Sequence, residues 1–206
     1  MLQRTDEWLT ARLGRVTASR IADVVARTRN GWGASRMNYR AELITERLTG
    51  QPASRYMTQE MRWGIDTEAD AIAAFEFYTD LTVEPVGFVE HPTIEMAGAS
   101  PDGLIGEEGL IEVKCPNSAT HIDTLLGAPI PGRYVLQMQW QMACTGRKWC
   151  KWVSFDPRLP ERMQLHIVHV ERDDKKIAEL EHAVRVFLRE IETILAELRA
   201  RYEEAA

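Results

Sequence analysis

The chain has 206 residues, 45% of them hydrophobic and 27% charged, with a net charge of −6. That length supports one domain with a full core and no need of staples, and no apolar run approaches membrane-spanning length. The N-terminus MLQRTDEW does not read as a secretion signal, and three cysteines (Cys115, Cys144, Cys150) without metal-finger spacing are expected as free thiols in a reducing cytoplasm.

The acid excess argues against a nucleic-acid partner, but its distribution reopens the question. Residues 1–60 hold ten arginines, no lysine and six acids, while residues 61–206 hold fifteen bases and twenty-five acids. A local arginine-rich zone can bind phosphates in an acidic protein, although uneven charge is also common where nothing binds.

In chain order, Asp6–Arg12 reads as a short helix carrying Trp8 and broken at Gly14. Thr17-Ala18-Ser19 precedes Ile21, Val24 and Val25 at helical spacing, so Thr17 or Ser19 is expected to cap a second helix. A capped helix start beside Arg12 or Arg20 suits a phosphate, but plain capping is the favoured reading of this segment by itself. Arg27–Ser35 is a basic, glycine-containing loop, suited to phosphate contact or simply a surface loop. Arg36–Leu48 is a helix stopped by Gly50.

Thr58–Thr79 is a long helix whose apolar stripe runs through Met61, Ile65, Ile72 and Phe75, with Glu68 on the same stripe. A core-facing carboxylate is costly unless paired or metal-bound, so Glu68 is either a cation ligand or a glutamate bonded to Arg62 or backbone. Leu81–His91 reads as a strand with Pro85 marking an edge or bend.

Ser100–Pro116 (SPDGLIGEEGLIEVKCP) reads as a β-hairpin: Ala99–Ile105 leads in, Gly106–Gly109 turns and Leu110–Cys115 returns. Side chains alternate along a strand, so Glu112 and Lys114 share one face, and Ile111, Val113 and Cys115 the other. Two carboxylates brought together, Asp102 and Glu112, repel unless one takes a proton or a cation sits between them. Hard oxygen ligands suit Mg²⁺ or Mn²⁺, and the Val113 carbonyl can complete the set. Lys114 can then orient or deprotonate a water, or steady charge on a phosphate. An ordinary Glu–Lys surface pair on a charged hairpin is the alternative.

Asn117–Leu126 is a short helix. Tyr134–Thr145 is another, with Tyr134, Gln137 and Gln141 on one face; Gln137 holds a water or phosphate oxygen, or merely borders the apolar stripe. Trp149–Phe155 and Met163–Glu171 are strands. His166 and His169 fall on opposite faces, and all five histidines read as structural or surface residues. Asp174–Tyr202 is a long amphipathic helix expected to pack on the sheet.

Seven segments together resemble the bacteriophage lambda exonuclease family, the YqaJ-type viral recombinases of the PD-(D/E)xK nuclease superfamily. They are DEWLTARLGRVTAS, MRWGIDTEADAIAAFEF, SPDGLIG, LIEVKCP, YVLQMQWQM, FDPR and VERD, in the family's order. The resemblance implies an α/β fold: a restriction-endonuclease-like mixed sheet of about five strands with helices on both faces. It implies that Asp102, Glu112 and the Val113 carbonyl hold two Mg²⁺ ions, or Mn²⁺ in their place, with Glu68 assisting. Lys114 would activate or position the attacking water and Gln137 would orient it. Arg12, Ser19 and Ser100 would bind a 5′-terminal phosphate, and Arg29 would contact DNA. Met61 stands where the family has an apolar wedge that splits the terminal base pair.

The implied activity is 5′→3′ exonuclease digestion of double-stranded DNA ends, leaving a 3′ single-stranded overhang. The implied partners are two further copies in a homotrimeric ring and a single-strand annealing protein, in phage or prophage recombination in the bacterial cytoplasm. An endonuclease of the same superfamily and a catalytically silent DNA-binding scaffold are the alternatives. An iron–sulfur type lacks enough cysteines.

Overall fold

The computed structural model describes residues 3–53 and 58–202. Helix α1 (Asp6–Arg12) starts at Thr5, whose hydroxyl accepts from the Trp8 amide at 3.3 Å. The two-residue strand β1 (Val16–Thr17) runs into a 3₁₀ turn (Ala18–Arg20) and a single-turn helix α2 (Ile21–Val24). The hydroxyl cap expected there does not form. The 3₁₀ turn displaces the helix start to Arg20, and Thr17 Oγ1 and Ser19 Oγ instead lie 3.4 Å apart.

The basic loop is a small hairpin, β2 (Arg27–Thr28) and β3 (Gly31–Trp32). It leads into α3 (Ala34–Thr49), which ends on Gly50 at φ 64°, a left-handed conformation that glycine adopts without a Cβ clash. The Thr58 hydroxyl accepts from the Met61 amide and starts α4 (Gln59–Thr79). Burial on α4 begins only at Thr67, Ala71 and Phe75. Met61 and Ile65, read as part of a core stripe, are exposed. Gly64, which allows close approach in principle, faces open space.

The expected Leu81–His91 strand divides around Pro85 into β4 (Val83–Glu84) and β5 (Val89–Glu90), which join different sheets. The hairpin lead-in also divides. β6 (Ala97–Ala99) pairs with β1 and β5, whereas β7 (Gly103–Ile105) pairs with β4 and β8 (Gly109–Lys114). The chain crosses between sheets at Ser100–Asp102. Then follow α5 (Ser118–Leu125), α6 (Gly132–Thr145), β9 (Trp149–Phe155), β10 (Leu165–Glu171) and α7 (Asp174–Tyr202).

The main sheet has the order β10-β9-β8-β7-β4; β8 and β9 are parallel and the other pairs antiparallel. This is the expected mixed five-stranded sheet. On one face α4 packs Ala71 and Phe75 against Ile111, Val113, Val153 and Phe155. On the other, α6 buries Met138, Trp140 and Met142 with Leu110, Cys150 and Trp152. Alternation along β8 thus sends its odd-numbered residues toward α4 and Glu112 toward α6. Helix α7 packs on α2, α3 and α6 rather than directly on the sheet, with Phe187 stacked on Tyr39 at 5.7 Å.

Candidate active site

The crossing at Ser100–Asp102 delivers Asp102 alongside β8, where its Oδ2 accepts from the Val113 amide at 2.6 Å. One residue earlier, Glu112 is fully buried and its carboxylate is held by three donors. Oε1 accepts from Gln137 Nε2 at 2.7 Å and from the Lys114 ammonium; Oε2 accepts from Gln141 Nε2 at 2.6 Å. Gln137 and Gln141 are four residues apart, so one face of α6 presents both amides to the same carboxylate. Lys114 also lies 5.0 Å from the centre of the Tyr134 ring.

The electrostatics follow from this crowding. Burial first, then the neighbouring Glu112, with Glu68 adding, push the Asp102 carboxyl well above the usual range, against the pull of Lys114 and the Val113 amide. Burial alone would lower the Lys114 pKa; Glu112 and Asp102 outweigh it and raise it, so the ammonium stays charged. Glu68 forms an ion pair with Arg4 at 2.6 Å, not with Arg62. It is near enough to the cluster to help burial push the Cys115 thiol up to about 12.

Among the described residues, no group of three or more His, Cys, Asp or Glu side chains is placed as a metal cage. A small hard cation does not need one: Mg²⁺ is commonly held by one or two carboxylates completed by water and substrate phosphate. Two neighbouring carboxylates, Asp102 and Glu112, share one ammonium, which bonds Glu112, so the donor set carries more negative than positive charge. The residues fit such a cation.

Around the crossing, Ser100 Oγ accepts from Trp8 Nε1 at 2.9 Å and from Arg12 Nη1 at 3.1 Å, and the Arg12 guanidinium lies 4.2 Å over the Trp8 ring. The structure therefore joins Arg12 to Ser100, which lies two residues before Asp102 in the chain. Ser19 is exposed and lies beside Thr17.

The YqaJ-like viral recombinase domain matches residues 7–148 of this chain. The chain belongs to that family. It is 49% identical to the alkaline exonuclease LHK-Exo from Laribacter hongkongensis, whose crystal structure superposes with a TM-score of 0.91 over 98% of this chain and 100% of that one. A second structure of that protein, in complex with dAMP, matches equally well. A phage-related exonuclease from Haemophilus somnus 129PT shares the fold at 15% identity, with a TM-score of 0.69 over 89% of this chain and 96% of that one. Among curated proteins, none is similar in sequence to this chain.

Two of the remaining expected residues lie apart from the carboxylate cluster's hydrogen bonds. Arg29 is exposed at the tip of the β2–β3 hairpin, and Met61 is 53% exposed on the first turn of α4. The fully buried His121 lies 2.7 Å from Ser154 Oγ and 2.8 Å from the Met163 carbonyl oxygen, a structural role as expected.

Three contributors have no role assigned from the sequence. Gln141 was on the right face, and a glutamine inside an apolar helix signals a buried partner. Trp8, four residues before Arg12, was at stacking distance on one helical face. Arg158 bonds Asp156 through Nε and Nη2, donates to the Pro116 carbonyl at 3.1 Å and lies 4.5 Å over Trp63, so it ties the segment after β8 to α4. Burial works to raise the Asp156 pKa, but its bonds with Arg158 and Ser118 outweigh this and bring it down to about 2.

Gln141→Leu tests the α6 amides. It removes one of the three donors to a fully buried carboxylate. Turnover on linear duplex should fall by roughly 10- to 100-fold, as for other losses of a group that orients a ligand, with duplex binding in EDTA unchanged. Unchanged turnover would assign Gln141 to packing alone.

Proposed function

We propose that this recombinase-family chain is a Mg²⁺-dependent 5′→3′ exonuclease that degrades one strand of double-stranded DNA from its ends. The observation carrying this reading is the Asp102–Glu112–Lys114 cluster, in which Gln137 and Gln141 hold Glu112, with Asp102 two residues along the chain from Ser100, the partner of Arg12. Asp102, Glu112 and the Val113 carbonyl would hold the metal, with Glu68 beside them. When bound, Mg²⁺ supplies Lewis-acid polarisation of the scissile phosphate and a more acidic water.

The chain's own groups do the rest. Lys114 presents a charged ammonium, which orients the water and offsets charge developing on the phosphate. Gln137 shares Glu112 Oε1 with Lys114 and so has its amide beside the same reacting region. Arg12 and Ser100, joined by Ser19 once DNA is seated, receive the terminal 5′-phosphate, while Met61 parts the last base pair. The dAMP bound by the 49% identical relative is a nucleoside monophosphate of the kind that stepwise digestion releases. The same reading gives a homotrimeric ring around the duplex, a 3′ overhang passed to a single-strand annealing protein, and phage-type recombination in the bacterial cytoplasm. No helix among the described residues is long and apolar enough to cross a membrane.

Digesting end-labelled linear and closed circular duplexes, with Mg²⁺ or with EDTA, tests the whole reading. The exonuclease cuts only linear DNA and only with the metal. Cutting of circles would replace it with an endonuclease, and no cutting at all with a scaffold. Arg12→Ala addresses polarity. It removes a charge-assisted contact, so the preference for a 5′-phosphate over a 5′-hydroxyl end should fall about tenfold. An unchanged ratio of initial rates would exclude Arg12 from the end pocket.

A further inference from the structure

The arginines of the N-terminal segment do not share one role. Arg4, Arg15, Arg20, Arg36, Arg40 and Arg47 each pair with a carboxylate. Arg12 is engaged by Ser100 and Trp8. Arg27 and Arg29 differ from these seven: among the described residues neither pairs with a carboxylate, and both are exposed on the β2–β3 hairpin. Within segment 3–53, the hairpin of residues 27–32 therefore carries two arginines that no carboxylate neutralises.

That hairpin is fixed in place. Arg27 faces Trp32 across the two strands, with its guanidinium 4.1 Å from the indole centre. Arg36 lies 3.9 Å from the same ring. Arg36 is only 2% exposed; it donates to the Val24 carbonyl at 2.6 Å and to Glu190 at 2.7 Å, so it is a fixed point that Glu190 neutralises. Trp32 thus connects an anchored, neutralised arginine to an unneutralised one. The Thr28 hydroxyl accepts from the Asn30 amide at 3.3 Å and closes the turn that presents Arg29.

We propose that the β2–β3 hairpin is a preset clamp on duplex backbone phosphates, in which Trp32, resting on Arg36, is a positioning residue that aims Arg27. This rests on the reading that the chain acts on duplex DNA. Arg29 comes with the family resemblance; Arg27 and Trp32 come from the stack. A guanidinium fork matches a phosphate's oxygens, and a side chain already immobilised on an aromatic face loses less freedom when it binds.

The test is equilibrium binding of the full chain to a 5′-phosphorylated linear duplex in EDTA across a salt series. R27Q should weaken binding several-fold at 0.1 M salt and lower the slope of log affinity against log salt by about one, the signature of one lost phosphate contact. W32L should reproduce part of both changes, and W32F, which keeps a ring, should restore them. Because Trp32 acts through Arg27, W32L should add nothing in an R27Q background.

A full salt slope in R27Q overturns the clamp. Additive losses in the double variant overturn the positioning role, since the indole would then act by itself on DNA or on the fold. A wild type that binds no duplex sinks the functional reading along with the clamp; a wild type that binds and degrades duplex while R27Q matches it sinks the clamp alone.

Discussion

Lys114→Ala is expected to lower turnover of linear duplex by about a thousandfold while leaving duplex binding in EDTA within a few-fold of wild type. The ammonium contacts Glu112, which also accepts from Gln137 and Gln141, and it is the cation that Glu112 and Asp102 hold in the charged state. On the proposed reading, binding energy comes from elsewhere, from the end pocket and the arginine hairpin, so it should survive. Stability should not be untouched. Removing one partner of a buried pair leaves charge without compensation, so the thermal midpoint in EDTA should drop by several degrees. Lys114→Gln separates the two effects. It keeps a donor for Glu112 without the charge, so it should recover much of the midpoint and little of the turnover. Near-normal turnover in either variant would remove Lys114 from the chemistry.

The parts of this site that were legible in the sequence are those set by local periodicity. A period of two put Glu112 and Lys114 together on β8, and a period near 3.6 put Gln137 and Gln141 on one face of α6. Pro85 marked the break between β4 and β5, because a residue without an amide proton cannot continue a central ladder. What local spacing could not show were contacts between distant segments. Ser100 meets Arg12 across 88 residues and Trp8 across 92, and Arg4 reaches Glu68 across 64. The family resemblance supplied the first of these; nothing in the sequence supplied the other two.

Short elements failed for a related reason. Ala97-Gly98-Ala99 has no strand signature, yet it forms a fully buried strand. Gly98 is needed there because a Cβ would come within 2.6 Å of the Val89 carbonyl oxygen. The misplaced cap at Thr17 or Ser19 shows the same limit, since a 3₁₀ turn can displace the helix start and leave the two hydroxyls to meet each other. The single stripe drawn along α4 assumed that one face is buried throughout. The helix instead divides, with Ala71 and Phe75 in the core and Met61 left outside, where a side chain can meet a ligand.

Asp102→Asn should make the protein more stable in EDTA and abolish cutting. The folded-state pKa of Asp102 is raised, so its favourable contribution exists only below the unfolded value, near 3.9, and is lost as pH rises through the folded value. At pH 8 the unfolded carboxylate is ionised, and folding must either bury that charge beside Glu112 or protonate it, so Asp102 opposes folding. Asparagine keeps an oxygen for the Val113 amide and removes the charge. The midpoint should therefore rise by about 2–4 °C at pH 8, with the gain shrinking as pH falls toward the unfolded value. Added Mg²⁺ or Mn²⁺ should reverse the order. A cation that binds only the folded wild type raises its midpoint by mass action, and a variant lacking one ligand gains less. Turnover should fall by about a thousandfold or more, because on the proposed reading the carboxylate that weakens the empty fold is also a ligand of the catalytic metal. A lower midpoint in EDTA would show that the Val113 amide and Lys114 already satisfy Asp102, and the carboxylates would then have no unmet charge for a cation to answer.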